Sequence, residues 1–180
     1  KLSAFDGHLR EAGRWRSPDR WQDDLGEIKG RTIGLVGFGA VPMILAPILS
    51  AMGARVFYCS RSSKPDQPYC QVSKAELLAC SDVISLHLPE TAETQHWLDS
   101  DAIAQMKPGA VLINTARGGL IEEPALVRAL RSGKLAGAGL DVFSAEPVAS
   151  DSGVLRLRNV VVTPHVAWIT RNTLDRSLAV

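Results

Sequence analysis

The sequence predicts an α/β fold, a single domain in which a doubly wound parallel sheet is covered by helices on both faces. Short β-branched runs alternate with helical stretches along the 180 residues. The runs are apolar throughout, which is typical of strands that are buried on both faces. Chemically distinctive residues follow the runs, where the carboxyl ends of parallel strands would meet. A chain of this length can bury one core of good size and is short for a second full domain.

The first part of the chain predicts two strands joined by a helix. The strands are "RTIGLVG" (31–37) and "ARVFYCS" (54–60), and the helix runs from about Ala40 to Met52. Pro42 falls in the first helical turn, where its missing N–H has no intrahelical acceptor. Pro47 lies about two turns in and predicts a kink that costs roughly 3 kcal/mol unless packing compensates.

The later elements follow the same alternation. Ser73 and Glu76 form a capping box, in which the Ser hydroxyl and the Glu carboxylate can each satisfy a free backbone N–H, and it opens a helix to about Cys80. Gly133 gives a left-handed stop to a helix predicted over Glu122 to Ser132. The other predicted elements are, in order, strand 82–88, a helix near Asp99 to Met106, strands 110–116, 135–142 and 159–164, and an amphipathic helix that begins near Trp168.

Composition and charge exclude two classes of partner. Hydrophobic residues make up 46% of the chain, charged residues 22%, and the formal net charge is +1. A nearly neutral protein has no long-range field for nucleic acid or anionic lipid, so we expect no nucleic-acid binding. The apolar stretch from Val41 to Met52 contains two prolines and is far shorter than the roughly 20 residues that a membrane span needs. We therefore expect no membrane partner.

Cysteine usage predicts a reducing compartment. Cys59, Cys70 and Cys80 form no C-x-x-C pair, and free thiols in a cytoplasmic protein are the interpretation that we favour. We predict no metal site. The sequence begins at Lys1 without a basic-then-apolar leader, and we expect it to be part of a longer chain.

A glycine turn between the first strand and the first helix predicts a dinucleotide site. Gly37 permits the tight turn, and Gly39 lets a pyrophosphate approach the backbone N–H groups at the start of the helix. Ala40 and Val41 open that helix and are further cofactor-binding candidates. Pro42 occupies the third glycine position, and we expect it to displace the helix slightly outward with phosphate binding kept. The alternative is that both prolines, Pro42 and Pro47, reflect only local packing.

The end of the second strand predicts which dinucleotide binds. NAD sites place an acidic residue there to hold the ribose 2′-hydroxyl. Here the place is taken by Ser60, Arg61 and Ser62, and a cation with two hydroxyls suits a 2′-phosphate. NADP is therefore the preferred cofactor and NAD the second choice. A solvated surface arginine is the structural alternative.

Three segments after later strands carry a more specific pattern. They are "NTARGG" (114–119), "LDVFSAEP" (140–147) and "TPH" (163–165). In this order and spacing they resemble the D-2-hydroxyacid dehydrogenases, specifically their Rossmann-like nucleotide-binding domain, from about Gly13 to Thr170. The resemblance implies an oxidoreductase that transfers a hydride between a nicotinamide cofactor and a small 2-oxoacid or D-2-hydroxyacid.

The resemblance assigns the catalytic roles to Arg117, Glu146 and His165. A planar guanidinium suits the substrate carboxylate and polarises the ketone. An imidazole gives and takes a proton near neutrality, and a carboxylate on its far nitrogen fixes the tautomer. Taken singly, these residues could instead be a loop anchor, a turn residue and a strand end.

The resemblance also supplies cofactor contacts. We expect them at His87, Pro89, Thr94, Thr115, Ala116, Asp141 and Ala167. Among these, Asp141 is expected to hold the nicotinamide carboxamide, because an aspartate at an apolar strand end is costly unless something binds it.

Family architecture implies three segments here. Residues 1–24 would be an arm that leads into the domain and contacts a dimer partner, residues 25–170 the dinucleotide-binding domain, and residues 171–180 the start of a helix that returns to a substrate domain. Most of that substrate domain is absent from this sequence. A homodimer through the nucleotide-binding domain is expected, with Trp15 and Trp21 either on a partner surface or packed on the parent domain.

Two functions follow from these features. The favoured one is an NADP-preferring reductase of glyoxylate or hydroxypyruvate, since Trp168 is similar to that branch of the family. The alternative is a non-catalytic dinucleotide-sensing module of corepressor type. Formate dehydrogenases share the pattern but typically have Gln where Glu146 stands.

Overall fold

The computed structural model describes residue 7, residues 9–11 and residues 26–173 of the chain. The predictions for the arm 1–24, with Trp15 and Trp21, and for residues 174–180 lie outside the described residues.

One sheet of seven parallel strands forms the centre of the described part. Its strands are β1 (Thr32–Val36), β2 (Arg55–Cys59), β3 (Cys70–Gln71), β4 (Val83–Leu86), β5 (Ala110–Asn114), β6 (Leu135–Leu140) and β7 (Val160–Val162). Their order is β3-β2-β1-β4-β5-β6-β7. The order reverses between β1 and β4, which confirms the doubly wound sheet and leaves a crevice beyond the carboxyl ends of those two strands.

Helices connect the strands and cover the sheet. They are α1 (Ala40–Ala51), α2 (Lys74–Cys80), α3 (Ser100–Gln105) and α4 (Glu123–Arg131), with 3₁₀ turns at Gly118–Leu120 and Val154–Arg156. The predicted cap of α2 is present, because the Ser73 hydroxyl accepts from the Glu76 amide at 3.2 Å. Asp99 caps α3 in the same way, through a bond from the Ala102 amide of 2.8 Å. Such caps satisfy amides that the helix itself leaves free.

Two local features differ from the element predictions made from the sequence. Strand β3 was missed, because two exposed residues carry no readable periodicity. The last helix does not begin near Trp168: the Ile169 amide donates to Val166, and helical residues start only at 171. Thr170 sets this boundary, since its hydroxyl accepts from the Thr173 amide at 3.1 Å and acts as the N-cap.

The first helix is continuous through both of its prolines. Pro42 is its third residue and is buried, whereas Pro47 is exposed within the same helix. The outward face of α1 carries an apolar stripe, with exposed fractions of 62% for Val41, 70% for Ile44 and 53% for Ile48. Spacings of three and four residues place these side chains on one face.

The core lies on both faces of the sheet. The larger cluster packs α2, α3 and α4 on the sheet through fully buried leucines such as Leu77, Leu112 and Leu126. The smaller cluster lies under α1, where Phe38 stacks on Tyr58 with ring centroids 4.2 Å apart. None of the helices in the described part is long and apolar enough to cross a membrane.

Candidate active site

The turn after β1 lies at the crevice and requires glycine at its first position. Gly37 has φ of +89°, and its amide donates to the Cys59 carbonyl at 2.8 Å. A Cβ here would lie 2.7 Å from the carbonyl oxygen of His87, which follows the neighbouring strand β4. Any larger residue would both strain the backbone and separate the two strand ends.

Gly39 has a different environment, although it is only two residues away. It is the N-cap of α1, with φ of −94°, and no side chain caps this helix. A Cβ at Gly39 would meet no heavy atom within 4 Å. Free amides at a helix start beside open space are the arrangement that holds a phosphate group.

A groove of about 330 Å³ runs from this turn along the strand ends. Seven of the predicted cofactor residues line this groove: Gly39, Ala40, Val41, His87, Pro89, Thr115 and Ala116. Pro42 belongs to the same wall. The predicted outward displacement of α1 stays a prediction.

Asn114, a buried residue at the end of β5, shapes the turn that carries Arg117. Its Nδ2 donates to the Arg117 carbonyl at 2.8 Å, and its Oδ1 accepts from the Ala116 amide at 3.0 Å. The Arg117 side chain is exposed and donates to the Ala116 carbonyl at 2.6 Å. Residues 115–117 are therefore fixed by a side chain that sequence reasoning did not single out, although it is the first letter of the "NTARGG" motif.

Glu146 and His165 meet as the sequence predicted. Glu146 Oε2 lies 2.8 Å from His165 Nδ1, and Glu146 Oε1 accepts from the Phe143 amide at 2.9 Å. The bonds from His165 and then from Phe143 hold the pKa of Glu146 below its ordinary value. An ionised carboxylate only accepts, so Nδ1 is the donor and Nε2 is left for chemistry.

The backbone at His165 is in an unusual conformation. Its φ is +54°, a left-handed value that is uncommon for residues other than glycine. The His165 amide donates to the Asp141 carbonyl at 2.8 Å, which helps to impose it. Such strained positions are concentrated at functional sites.

Asp141 holds the loop on which His165 lies. It is 3% exposed, and its carboxylate accepts from the Thr163 hydroxyl and from the Val166 and Ala167 amides, the last two at 2.9 Å. Burial acts to raise the pKa of Asp141, but these hydrogen bonds outweigh it and the pKa is lowered. Thr163 was missed as a functional position; its place in the "TPH" motif was the available signal.

These groups converge on one cavity of about 510 Å³. Arg117, Asp141 and His165 line it, together with Thr115, Ala167 and Trp168. Glu146 supports His165 on the Nδ1 side of the ring. The cavity thus presents a cation, an imidazole and a buried carboxylate next to the groove at Gly39.

The loop after β2 lies apart from both cavities. The Ser60 hydroxyl donates to the Ser62 carbonyl, and Gln71 Nε2 donates to the Ser60 carbonyl at 2.9 Å. The Lys64 amide donates to the Tyr58 hydroxyl at 3.1 Å, which folds the loop over the strand end. Arg61 is exposed, and Lys64 adds a second cation that sequence reasoning did not include.

Two other predicted cofactor-binding residues, His87 and Thr94, contact polar groups of the protein itself. His87 Nε2 lies 3.0 Å from the Ser85 hydroxyl, and burial lowers the pKa of His87. The Thr94 hydroxyl donates to the Pro89 carbonyl at 2.7 Å and is not among the residues that line either cavity in the described part. Its cofactor contact stays a prediction. Residues 26–173 contain no group of three or more His, Cys, Asp or Glu side chains that could hold a metal ion.

Comparison with known proteins shows the family to which the chain is similar and how much of its relatives' length the chain spans. A model of the family described as D-isomer specific 2-hydroxyacid dehydrogenase, NAD binding domain, matches residues 1–167. A hydroxypyruvate reductase from Blautia hydrogenotrophica is 39% identical over 170 residues, which are 91% of this chain and 53% of that protein. A glyoxylate reductase from Thermococcus litoralis is 42% identical over 152 residues, 82% of this chain and 46% of that protein.

Solved structures show the same fold. An acyclic imino acid reductase in complex with NADPH and D-Arg superposes with a TM-score of 0.90 at 35% identity, over 99% of this chain and 56% of that one. The chain spans about half the length of the curated reductases described above.

Proposed function

The chain belongs to the D-isomer specific 2-hydroxyacid dehydrogenases as their NAD binding domain, and from that premise we propose that the whole protein reduces a small 2-oxoacid with a nicotinamide cofactor. The observation that carries the proposal is the hydrogen bond of 2.8 Å between Glu146 and His165 on the cavity that Arg117 also lines. This is a proton donor with a fixed tautomer beside a cation.

Each of the three side chains has one role in the proposal. Arg117 pairs with the substrate carboxylate and polarises the neighbouring ketone. His165 donates the proton from Nε2 to the carbonyl oxygen as the carbon is reduced, and it accepts that proton in the reverse direction. Glu146 holds Nδ1–H and stabilises the imidazolium form. A bound nicotinamide supplies the hydride.

Two features of the groove support the binding of a dinucleotide. The unobstructed space at Gly39 and the uncapped start of α1 suit the pyrophosphate. Asp141 lies deeper, at the cavity that receives the nicotinamide end in the proposal. Its two oxygens accept three hydrogen bonds, and a carboxylate offers about four acceptor sites, so one stays for the carboxamide.

We propose NADP as the preferred cofactor and NAD as the second. Support comes from Arg61 beside the Ser62 hydroxyl, with Lys64 on the same loop and no carboxylate among residues 60–64; the Ser60 hydroxyl already donates to the Ser62 carbonyl. Arg61→Ala should weaken NADPH binding at least tenfold and NADH binding by less than twofold, because only NADPH carries the 2′-phosphate. Fluorescence titration of both cofactors measures this, and an equal loss for the two would contradict the proposal.

Glyoxylate and hydroxypyruvate are the proposed substrates. The names of the two relatives described above support this, and so does Trp168 on the wall of the cavity. The test follows NADPH and NADH oxidation by the full-length protein with a panel of 2-oxoacids. His165→Gln should lower kcat by about 10²- to 10⁴-fold while NADPH still binds. If the full-length protein binds NADPH but reduces no 2-oxoacid, the dinucleotide-sensing alternative replaces the enzyme.

A homodimer through this domain is also proposed. Ile44 and Ile48 of the apolar stripe are more than half exposed and line neither cavity, which suits a surface that a second copy covers. Ile44→Glu should shift the full-length protein from dimer to monomer in analytical ultracentrifugation. The control is Val161→Glu, which changes an equally exposed apolar residue on β7 and should leave the dimer intact.

We propose a cytoplasmic location, because Cys59, Cys70 and Cys80 are all free thiols and two of them are exposed. Cell fractionation tests this, and recovery of the protein outside the cytoplasmic fraction would contradict it.

A further inference from the structure

The loop that carries Glu146 has few attachments of its own. Residues 143–153 form most of the connection between β6 and the 3₁₀ turn at Val154–Arg156, and residues 144–147 are exposed. No backbone N–H between residues 144 and 151 donates a hydrogen bond within the described part of the chain. Exposed backbone with so few bonds opens easily unless side chains restrain it.

Glu123, in the first turn of α4, supplies that restraint. Its Oε2 accepts from the Ser144 hydroxyl at 2.8 Å, and its Oε1 accepts from the Ser152 hydroxyl at 3.2 Å. The two serines lie near the two ends of the 143–153 loop. A single carboxylate therefore joins the start and the end of the segment in which Glu146 lies.

The turn that carries Arg117 meets the same loop. A Cβ at Gly118 would lie 1.9 Å from the carbonyl carbon and oxygen of Phe143 and 2.5 Å from the Ser144 nitrogen. The two backbones are thus in direct contact beside the Ser144 hydroxyl that Glu123 holds. A displacement of the loop would disturb both the Arg117 side and the Glu146 side of the cavity.

We propose that Glu123 is a positioning residue, which holds the Ser144 and Ser152 hydroxyls so that the 143–153 loop presents Glu146 to His165. This inference rests on the proposed function. Glu123 does not line the cavity that contains Arg117 and His165. It acts on the reaction only through the loop.

The adjacent glutamate provides a matched control. Glu122 Oε2 accepts from the Ser100 amide at 2.9 Å, and its Oε1 lies 3.6 Å from Arg128. It carries the same charge at the same end of α4 but makes no hydrogen bond to the 143–153 loop. Glu122→Ala should leave kcat within twofold of the unmodified protein.

Glu123→Ala in the full-length protein should lower kcat by at least about tenfold, because two hydrogen bonds to a charged group are lost. The dissociation constant for NADPH should stay within twofold, because the groove at Gly39 is not touched. The acid limb of the pH profile of kcat should move to higher pH. His165 and Asp141 are the titratable groups that act on Glu146, and a loosened loop removes the bond from His165 that lowers the Glu146 pKa.

Ser144→Ala alone keeps the test decisive if Glu123→Ala is unstable, because it removes one of the two hydrogen bonds to Glu123, and a double-mutant cycle then shows whether the two side chains act together. Ser144→Ala should lower kcat by a smaller factor, and the variant with both substitutions should be no slower than Glu123→Ala alone, since the two act through one contact. Additive losses, or an unchanged pH profile in Glu123→Ala, would overturn the inference. A full-length protein that reduces no 2-oxoacid would instead overturn the proposed function.

Discussion

A methyl group at Gly39 should strongly weaken cofactor binding and leave the fold intact. The Cβ of Gly39→Ala would meet no heavy atom within 4 Å, and the φ of −94° is accessible to alanine. Alanine is a poorer N-cap than glycine, by up to about 1 kcal/mol. In a domain of this size that corresponds to a fall in Tm of no more than about 4 °C.

The effect on NADPH should be much larger. The methyl group would occupy the space through which a pyrophosphate reaches the amides at the start of α1. A hydrogen bond to a charged group contributes about 1.5–3 kcal/mol, so loss of one weakens binding by about 13- to 160-fold. Fluorescence titration with NADPH and a thermal melt of the same full-length variant measure both quantities.

For Gly37→Ala, in contrast, the main effect should be a loss of folding stability. There the φ of +89° costs alanine about 1–2 kcal/mol, and the contact of 2.7 Å with the His87 carbonyl adds to it. The fold should be clearly destabilised before any effect on binding is considered. The reasoning about Gly39 would be refuted if Gly39→Ala bound NADPH within twofold of the unmodified protein.

Three further results are expected. Because the folded pKa of Asp141 is lowered, the stabilisation that its carboxylate gives is complete above the ordinary pKa, near 3.8, and is lost as the pH falls through the folded value. The difference in Tm between Asp141→Asn and the unmodified protein should therefore shrink between pH 5 and pH 3. A difference that stays constant over this range would contradict the prediction. Glu146→Gln should lower kcat at least tenfold with NADPH affinity unchanged, since a neutral amide stabilises the imidazolium of His165 less; equal kcat values would contradict this. Leu112→Ala, at a side chain with 0% exposure, should cost about 2–5 kcal/mol in urea unfolding, and a loss below 1 kcal/mol would show that the site collapses around the cavity.

Two features of the candidate site could be predicted from the sequence alone. The turn at Gly37 and Gly39 was predicted from its place between an apolar strand and a helix, and the contact of Glu146 with His165 was predicted from motifs in a known order. Both depend on backbone features that recur whenever parallel strands end at one edge. The match of the family's NAD binding domain confirms the resemblance on which the order was interpreted.

Other features depend on contacts that no short segment reveals. Asn114 and Thr163 work by reaching backbone groups and a carboxylate across a turn or a neighbouring strand. The start of the last helix was predicted at Trp168 from hydrophobic periodicity. In the structure it begins after Thr170, whose hydroxyl accepts from the Thr173 amide and caps the helix.

The strand order places the loop after β2 far from the segment after β7. The loop after β2 and the segment after β7 are five strand spacings apart, or about 24 Å at about 4.8 Å per spacing. In the proposed function, coenzyme choice and proton transfer thus depend on segments that are far apart along the sheet. Substitutions in the loop after β2 should then change the coenzyme without changing the proton donor.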